Sequence, residues 1–473
     1  MRLAQRPMMA TMAAVTVLAT AWLWLADARP AVADGSSSSG SPPSLPLLPP
    51  GGLPGGGSGP SPPLPPGGGS GSGCCGGGGS AVGDSGTGGG GGNFVDPPTV
   101  SLPTPGIPGQ PATDQTSVPA VIPSQVVATF PGTAPRQIGD EFAADHDSIV
   151  IDYFRLARLN VPVFLLAVDE SDQFQRVLQE MSQDPRPLWV QLNLAFATSQ
   201  SSTASIAPRG GGVAQYALDR LRVAPVLDIT RGAGVKIAIV DSGVAVAHEA
   251  LAGAHISIID VISKANTLVT GPTPEVHGTA IAGIIVGHDK LRGVSPEVEL
   301  LAIRAFRQTD PSSGAARSSS FHLSKGISTA TDQAVRVINL SLTGPQDRLV
   351  TQAVEQALMS QIAVVAAAGN AGPGAPPAYP AAQPGVIAVT ATDSQDRLYR
   401  YANRGSYITL AAPGVDILVA QPGGYGYLSG TSMATAYVSA LSALMIARAD
   451  DLTPSRLRKL LEATTTDLGA PQR

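Results

Sequence analysis

Gly430-Thr431-Ser432-Met433-Ala434 stands where an apolar segment gives way to a predicted helix that continues through Tyr437, Val438, Leu441, Leu444 and Met445. Two readings compete for this stretch. Thr431 or Ser432 could simply cap the helix, because short hydroxyl side chains satisfy the unpaired amides of a first turn. Alternatively Ser432 is a nucleophile, which requires a base elsewhere in the chain to activate an otherwise weak hydroxyl.

Working outward, the region from about Val213 to the end alternates apolar strands with helical stretches. Val235 to Val240, Glu299 to Ile303, Val335 to Leu340, Ile362 to Ala367 and Val386 to Thr390 read as strands. The segments after His277, around Ala330, from Val350 to Met359 and after Ser432 read as helices. This alternation predicts an α/β fold, a mainly parallel sheet with helices on both faces. Ligands in such sheets bind beyond the carboxyl ends of the strands.

Three further signals fall at those ends. Asp241 directly follows the strand Lys236-Ile-Ala-Ile-Val240 and precedes Ser242-Gly243. His277-Gly278-Thr279 opens an apolar helix, a setting that none of the other five histidines shares. Asn370 follows the apolar strand ending Ala366-Ala-Ala-Gly369. Each has a simpler reading when taken alone, a turn aspartate, a structural histidine and a turn amide. Taken together, Asp, then His, then Ser follow the chain order of the subtilisin triad.

On these motifs the chain resembles the subtilases, the subtilisin-like serine proteases, over about Gln215 to Asp467. Tyr379-Pro380-Ala381-Ala382 with Val386-Ile387-Ala388-Val389, and Ala411-Ala412-Pro413-Gly414-Val415, resemble the family's segments after the oxyanion asparagine and before the serine. The resemblance implies a secreted serine endopeptidase in which Ser432 attacks a peptide carbonyl, His277 moves the proton and Asp241 orients the imidazole. The Asn370 amide and the Ser432 backbone N–H would stabilise the oxyanion. It also places the primary substrate pocket between Ser341-Leu342-Thr343-Gly344 and the strand end that includes Ala368 and Gly369, with Ala378 at its floor. A methyl at that floor shortens the pocket and implies a preference for small or medium apolar side chains. Ala280 and Ala436 depart from the family pattern of a second histidine and a proline, and Tyr437 replaces the commoner histidine.

The resemblance gives meaning to what precedes residue 213. From Ser148 to Phe196 a buried strand (Val161 to Val168), a helix (Phe174, Val177, Leu178, Met181) and an alternating strand (Leu188 to Phe196) suggest a small α+β unit. At residues 136–200 it has the size and position of a subtilase propeptide, which covers the cleft, assists folding and is removed by the enzyme itself. Cleavage is expected in the connector Ser199 to Gly212. Residues 34–135 are dominated by Gly, Pro and Ser and, from residue 35 on, contain no Lys, Arg or Glu, the composition of a disordered tether. Gly83-Asp84-Ser85-Gly86, similar to a chymotrypsin-type serine motif, lies inside it without strand context and is discarded.

Residues 1–33 carry Arg2 and Arg6, an apolar run from Met8 to Leu25 and a small-x-small site at Ala31-Val32-Ala33. This is the layout of a secretory signal peptide, so the mature chain is expected outside the cytoplasm. Membrane association is expected only if that segment is retained. The two cysteines, Cys74 and Cys75, are adjacent and form no disulfide framework for a folded domain. Net charge is −5 and basic residues are unclustered, which argues against a nucleic-acid partner. The expected partners are protein or peptide substrates and the chain's own prosegment as an inhibitor. No cofactor is required; structural calcium occurs in many subtilases, but no acidic loop here matches such a site. The rival reading is a catalytically silent subtilase-like fold that acts as a binding module displayed on the tether.

Overall fold

The computed structural model describes residues 13–15, 121–156, 158–169, 174–198, 201–202, 215–263, 275–308 and 316–469. Four strands, β1 (Val121–Thr129), β2 (Ser148–Leu156), β3 (Val161–Val168) and β4 (Trp189–Thr198), pair antiparallel in the order β4-β1-β3-β2. Helices α1 (Gln137–Asp145) and α2 (Phe174–Gln183) complete this α+β unit. Its side chains alternate between two cores. Val126, Ala128, Phe164 and Leu166 pack inward with Phe130, Phe142 and Met181, while Val127, Phe154, Val163 and Leu165 join the core of the larger domain. A strand with both faces covered needs apolar residues at successive positions, which is what Val163-Phe164-Leu165-Leu166 supplies.

The unit begins earlier than position 136. Residues 121–135, read from composition as tether, include β1, the central partner of β3 and β4, and the fully buried Phe130. Neighbouring prolines and glycines diluted the strand signal of Val121-Ile122 and Val126-Val127. The remainder of the expected tether, both cysteines included, lies outside the described residues.

The larger domain is built on seven parallel strands: β5 (Lys236–Asp241), β6 (His255–Asp260), β7 (Glu299–Arg304), β8 (Val337–Leu340), β9 (Ala363–Ala367), β10 (Ile387–Thr392) and β11 (Leu410–Pro413). They run in the order β6-β7-β5-β8-β9-β10-β11. Beyond β11 lie Ala13–Val15, the only described residues of the expected signal segment, and then Thr465–Asp467. Alternate residues of each strand serve opposite faces. Ile237, Ile239, Val365 and Val389 pack with helices α3 (Val276–Val286) and α6 (Thr431–Arg448). Ala238, Val240, Ile338 and Val364 pack with α4 (Ser320–Asp332) and α5 (Arg348–Met359). Helix α6 is apolar on all sides because the sheet and α3 enclose it; its buried residues run from Thr431 to Ile446. The α/β architecture read from the strand and helix alternation is therefore present.

The small unit docks on α4 and α5. Phe154 meets Phe321 edge-on at 5.1 Å between centroids, and the buried Lys325 pairs with Asp152 at 2.7 Å. Asn193 Oδ1 accepts the Phe321 N–H at the start of α4, and Gln191 donates to Asp347, the cap of α5. His322 lies in this interface, with Nδ1 3.0 Å from Ser319 Oγ. Burial pushes its imidazole down to about 4; Lys325 and Arg307 oppose protonation further, while Asp152 and Asp260 favour it. The unfolded chain, titrating near the ordinary value of about 6.5, takes up the proton first. The stability conferred by neutral His322 is therefore complete above that pH and lost as pH falls towards 4. Urea unfolding should show that the stability difference between pH 7 and pH 5 shrinks by about 2 kcal/mol in His322→Asn. An unchanged difference would contradict this.

Candidate active site

The four residues singled out from sequence lie at the carboxyl ends of the parallel strands or at the helix starts beside them. Asp241 is the last residue of β5, His277 the second of α3, Ser432 the second of α6, and Asn370 follows the turn after β9. Asp241 Oδ1 lies 2.7 Å from His277 Nδ1 and also accepts the Ser242 N–H at 2.7 Å. Asp241 and His277 are 1% and 0% exposed. The opposite ring nitrogen, His277 Nε2, is buried with no partner among the described residues.

Close backbone approach sets the histidine's position. Gly278 N–H donates to Ser242 Oγ at 3.0 Å, and a Cβ at Gly278 would fall 2.4 Å from the Ser242 carbonyl oxygen. Helix α3 can approach the end of β5 this closely only with glycine after His277.

Ser432 Oγ donates to the Ser341 carbonyl at 3.0 Å, and Ser341 Oγ donates back to the Ser432 carbonyl at 3.0 Å. The hydroxyl is thus turned towards Ser341, and no Ser432–His277 hydrogen bond forms in this arrangement. Bonds of that kind commonly tighten only when substrate is bound. Neither hydroxyl of Thr431-Ser432 caps α6; Gly430 occupies the cap position without a side-chain bond. The capping expectation fails because the Thr431 hydroxyl is engaged elsewhere, accepting the Gly369 N–H at 3.2 Å.

Asn370 is held by one end and open at the other. Its Oδ1 accepts the Thr431 N–H at 3.1 Å, which leaves Nδ2 buried without a partner among the described residues. Two residues to which sequence reasoning gave no part in this turn, Asn403 and Thr431, hold it. Asn403 Oδ1 accepts the Ala371 N–H at 2.8 Å, and the Asn403 N–H donates to the Gly369 carbonyl. Thr431 links the turn to α6. Gly369 adopts φ +105, and a Cβ there would meet the Asn403 amide at 2.7 Å, so glycine is needed for both conformation and space.

The residues expected to line the substrate pocket form one connected region. Gly344 and Tyr379 exchange two backbone hydrogen bonds, which brings the segment containing Ala378 against Ser341-Leu342-Thr343-Gly344. Tyr407 donates to the Ala368 carbonyl at 2.8 Å. A second strand, Ala316–Ser319, was not anticipated from its Ser-rich sequence. It pairs antiparallel with the end of β4, Ser319 with Ala195 and Arg317 with Ala197. On the other side Leu342 pairs with Thr198 and Thr343 with Ala197. Residues 195–198 therefore run as the middle strand between two peptidase segments. Past the site, Ser201 pairs with Ser429 and Ser202 with Leu428. Among the described residues no group of three or more His, Cys, Asp or Glu side chains is placed to hold a metal ion.

The subtilase family model matches residues 232–473. The chain is 36% identical over 251 residues to subtilisin DY of Bacillus licheniformis, covering 50% of this chain and 86% of that protein. It is 35% identical over 253 residues to thermitase of Thermoactinomyces vulgaris, covering 53% and 88%. Among solved structures, fervidolysin from Fervidobacterium pennivorans, described as a keratinolytic enzyme related to subtilisin, superposes with a TM-score of 0.59 at 20% identity, over 72% of this chain and 57% of that one. With one family model spanning the region that carries all four strand-end residues, the chain belongs to the subtilase family and is a subtilisin-like serine endopeptidase.

Proposed function

We propose that the enzyme hydrolyses peptide bonds through Asp241, His277 and Ser432, with Asn370 in the oxyanion hole, and is made as a precursor whose N-terminal α+β unit occupies its own cleft. The chemistry follows from the site. His277, with its Nδ1 proton held on Asp241, presents a basic Nε2 that takes the Ser432 proton as Oγ attacks the carbonyl and later delivers it to the leaving amine. The buried, unpartnered Asn370 Nδ2 is a preorganised donor for the oxygen on which charge develops. Expulsion of the amine leaves an acyl-Ser432 ester. Water, deprotonated by His277, then hydrolyses it.

The observation that carries the precursor reading is the chain held on both sides of Ser432, with Thr198 opposite Leu342 and Ser201 opposite Ser429. Beside Leu342, the Ser341 carbonyl receives the Ser432 hydroxyl, so the nucleophile lies next to Thr198, the last described residue of β4. The bond to be cut is then Ser199–Gln200, inside the expected connector but outside the described residues. A small side chain at Ser199 suits the shallow pocket inferred from Ala378. Phe196, three residues upstream, packs against Gly344, where a Cβ would lie 2.3 Å from its ring. Substrates should therefore combine a small or medium residue before the scissile bond with an apolar or aromatic one three positions earlier. The N-terminal layout of Arg2, Arg6 and the apolar run supports action outside the cytoplasm.

N-terminal sequencing of the mature enzyme should give Gln200, and Ser432→Ala should accumulate as the uncut precursor. Normal processing of purified Ser432→Ala would contradict self-cleavage. Asn370→Ala should lower kcat by about 10² to 10³ with little change in KM, the magnitude known for the equivalent loss in subtilisin. A loss confined to KM would remove Asn370 from the oxyanion hole.

A further inference from the structure

We propose that Arg304 is a positioning residue for His277, fixing the entry of α3 against the strand ends that carry Asp241. This rests on the triad reading above and assigns part of the machinery to a residue outside it.

Arg304 is the last residue of β7 and has a register partner on each side: Asp241 at the end of β5 and Asp260 at the end of β6. Paired residues of neighbouring strands project to the same face, so three charged side chains leave the sheet side by side. The guanidinium spans the remaining distance. Nη1 donates to Asp260 Oδ2 at 3.0 Å, while Nε and Nη2 donate to Glu275 Oε1 at 3.2 and 3.0 Å. Side-chain exposure is 15% for Arg304, 9% for Asp260 and 5% for Glu275. The ions therefore interact where water screens them little.

Glu275 is two residues before His277 and is held by its N–H, its carbonyl and its Oε1. Its N–H donates to the Gly243 carbonyl at 3.1 Å, and its carbonyl accepts from Thr279 N–H and from Thr279 Oγ1. Its carboxylate is the group that Arg304 holds. Asp260 is tied down in turn, its Oδ1 accepting the Ile262 and Ser263 N–H groups. Residues 261–274, of which 264–274 lie outside the described residues, connect these two anchors. Arg304 thus clasps both ends of the connection that delivers His277 to the sheet.

The histidine is then positioned from two adjacent strand ends, by Asp241 directly on Nδ1 and by Arg304 through the residue that starts its helix. Arginine suits the task because its planar fork reaches two carboxylates at once, whereas an ammonium has a single charged point. If Arg304 is lost, the buried carboxylates of Asp260 and Glu275 both lose its guanidinium, and the start of α3 is expected to shift. A displacement of about 1 Å in a catalytic group can cost about 10²-fold in rate.

The test compares mature wild type, R304M and R304K, each titrated for active sites with a fluorophosphonate, with S432A as the control. R304M is expected to lower kcat per titrated site by about 10- to 100-fold with KM within about twofold, and R304K to recover part of the loss. The fluorophosphonate labelling rate, which needs no extended substrate, should fall in parallel with kcat. Wild-type kcat in R304M would overturn the proposal, and so would a loss appearing in KM alone, which would make Arg304 a substrate contact. If R304M does not fold, E275Q carries the same test, and wild-type kcat there overturns it. Turnover by S432A would remove the triad reading itself. That outcome is distinct from failure of the clamp, in which S432A is inactive and R304M behaves as wild type.

Discussion

A single buried hydrogen bond, 2.7 Å from Asp241 Oδ1 to His277 Nδ1, joins the end of a central strand to the beginning of a helix, and much of the domain is arranged to hold that junction. The strand is paired with β7 as far as Asp241 and with β8 as far as Ile239. The helix can come close enough only because Gly278 has no side chain to strike the Ser242 carbonyl. A buried carboxylate is costly unless its oxygens are engaged; Oδ1 is engaged twice, by the imidazole and by the Ser242 N–H, while Oδ2 has no hydrogen-bond partner among the described residues. The same layout recurs at Ser432, whose helix start is fastened to β9 through Thr431, Gly369 and Asn370. Strand ends and helix starts together bring Asp241, His277, Asn370 and Ser432 to the carboxyl end of the sheet.

The second organising feature is the two-sided sheet of the N-terminal unit. One face has its own aromatic core of Phe130, Phe142 and Phe164. The other shares the core around α4 and α5, where Asp152 neutralises Lys325, Asn193 accepts an N–H at the start of α4 and Gln191 donates to the cap of α5. Such a surface is specific to its partner, because removing it would expose apolar side chains and leave Lys325 without its carboxylate. The end of β4 then continues into the groove between Ala316–Ser319 and Leu342–Thr343. The docking face of the unit and the pairings of residues 195–198 are therefore parts of one contact surface.

Much of this was legible in the sequence because the physics is local. Fully apolar runs such as Ile237 to Val240 mark strands covered on both faces, and polar residues such as Asp241 and Asn370 mark where two of those runs stop. What could not be read depended on distant partners. Strand β1 was taken for tether because proline and glycine surround it, although β3 and β4 flank it in the fold. Ala316–Ser319 looked like loop and became a strand only by pairing with β4. Asn403 and Arg304 act through residues remote in sequence, and no spacing rule connects them to Asn370 or His277. The departures at Ala280, Ala436 and Tyr437 proved to be packing positions, all three buried in the core around α3 and α6.

The central claim is that Ser432 is a nucleophile activated by His277, and covalent labelling tests it most directly. The mature enzyme treated with a fluorophosphonate should gain one adduct, mapped by peptide mass spectrometry to the segment containing Ser432, with labelling abolished in S432A and strongly slowed in H277A. Absence of an adduct in folded wild type, or an adduct that persists in S432A, would contradict the account.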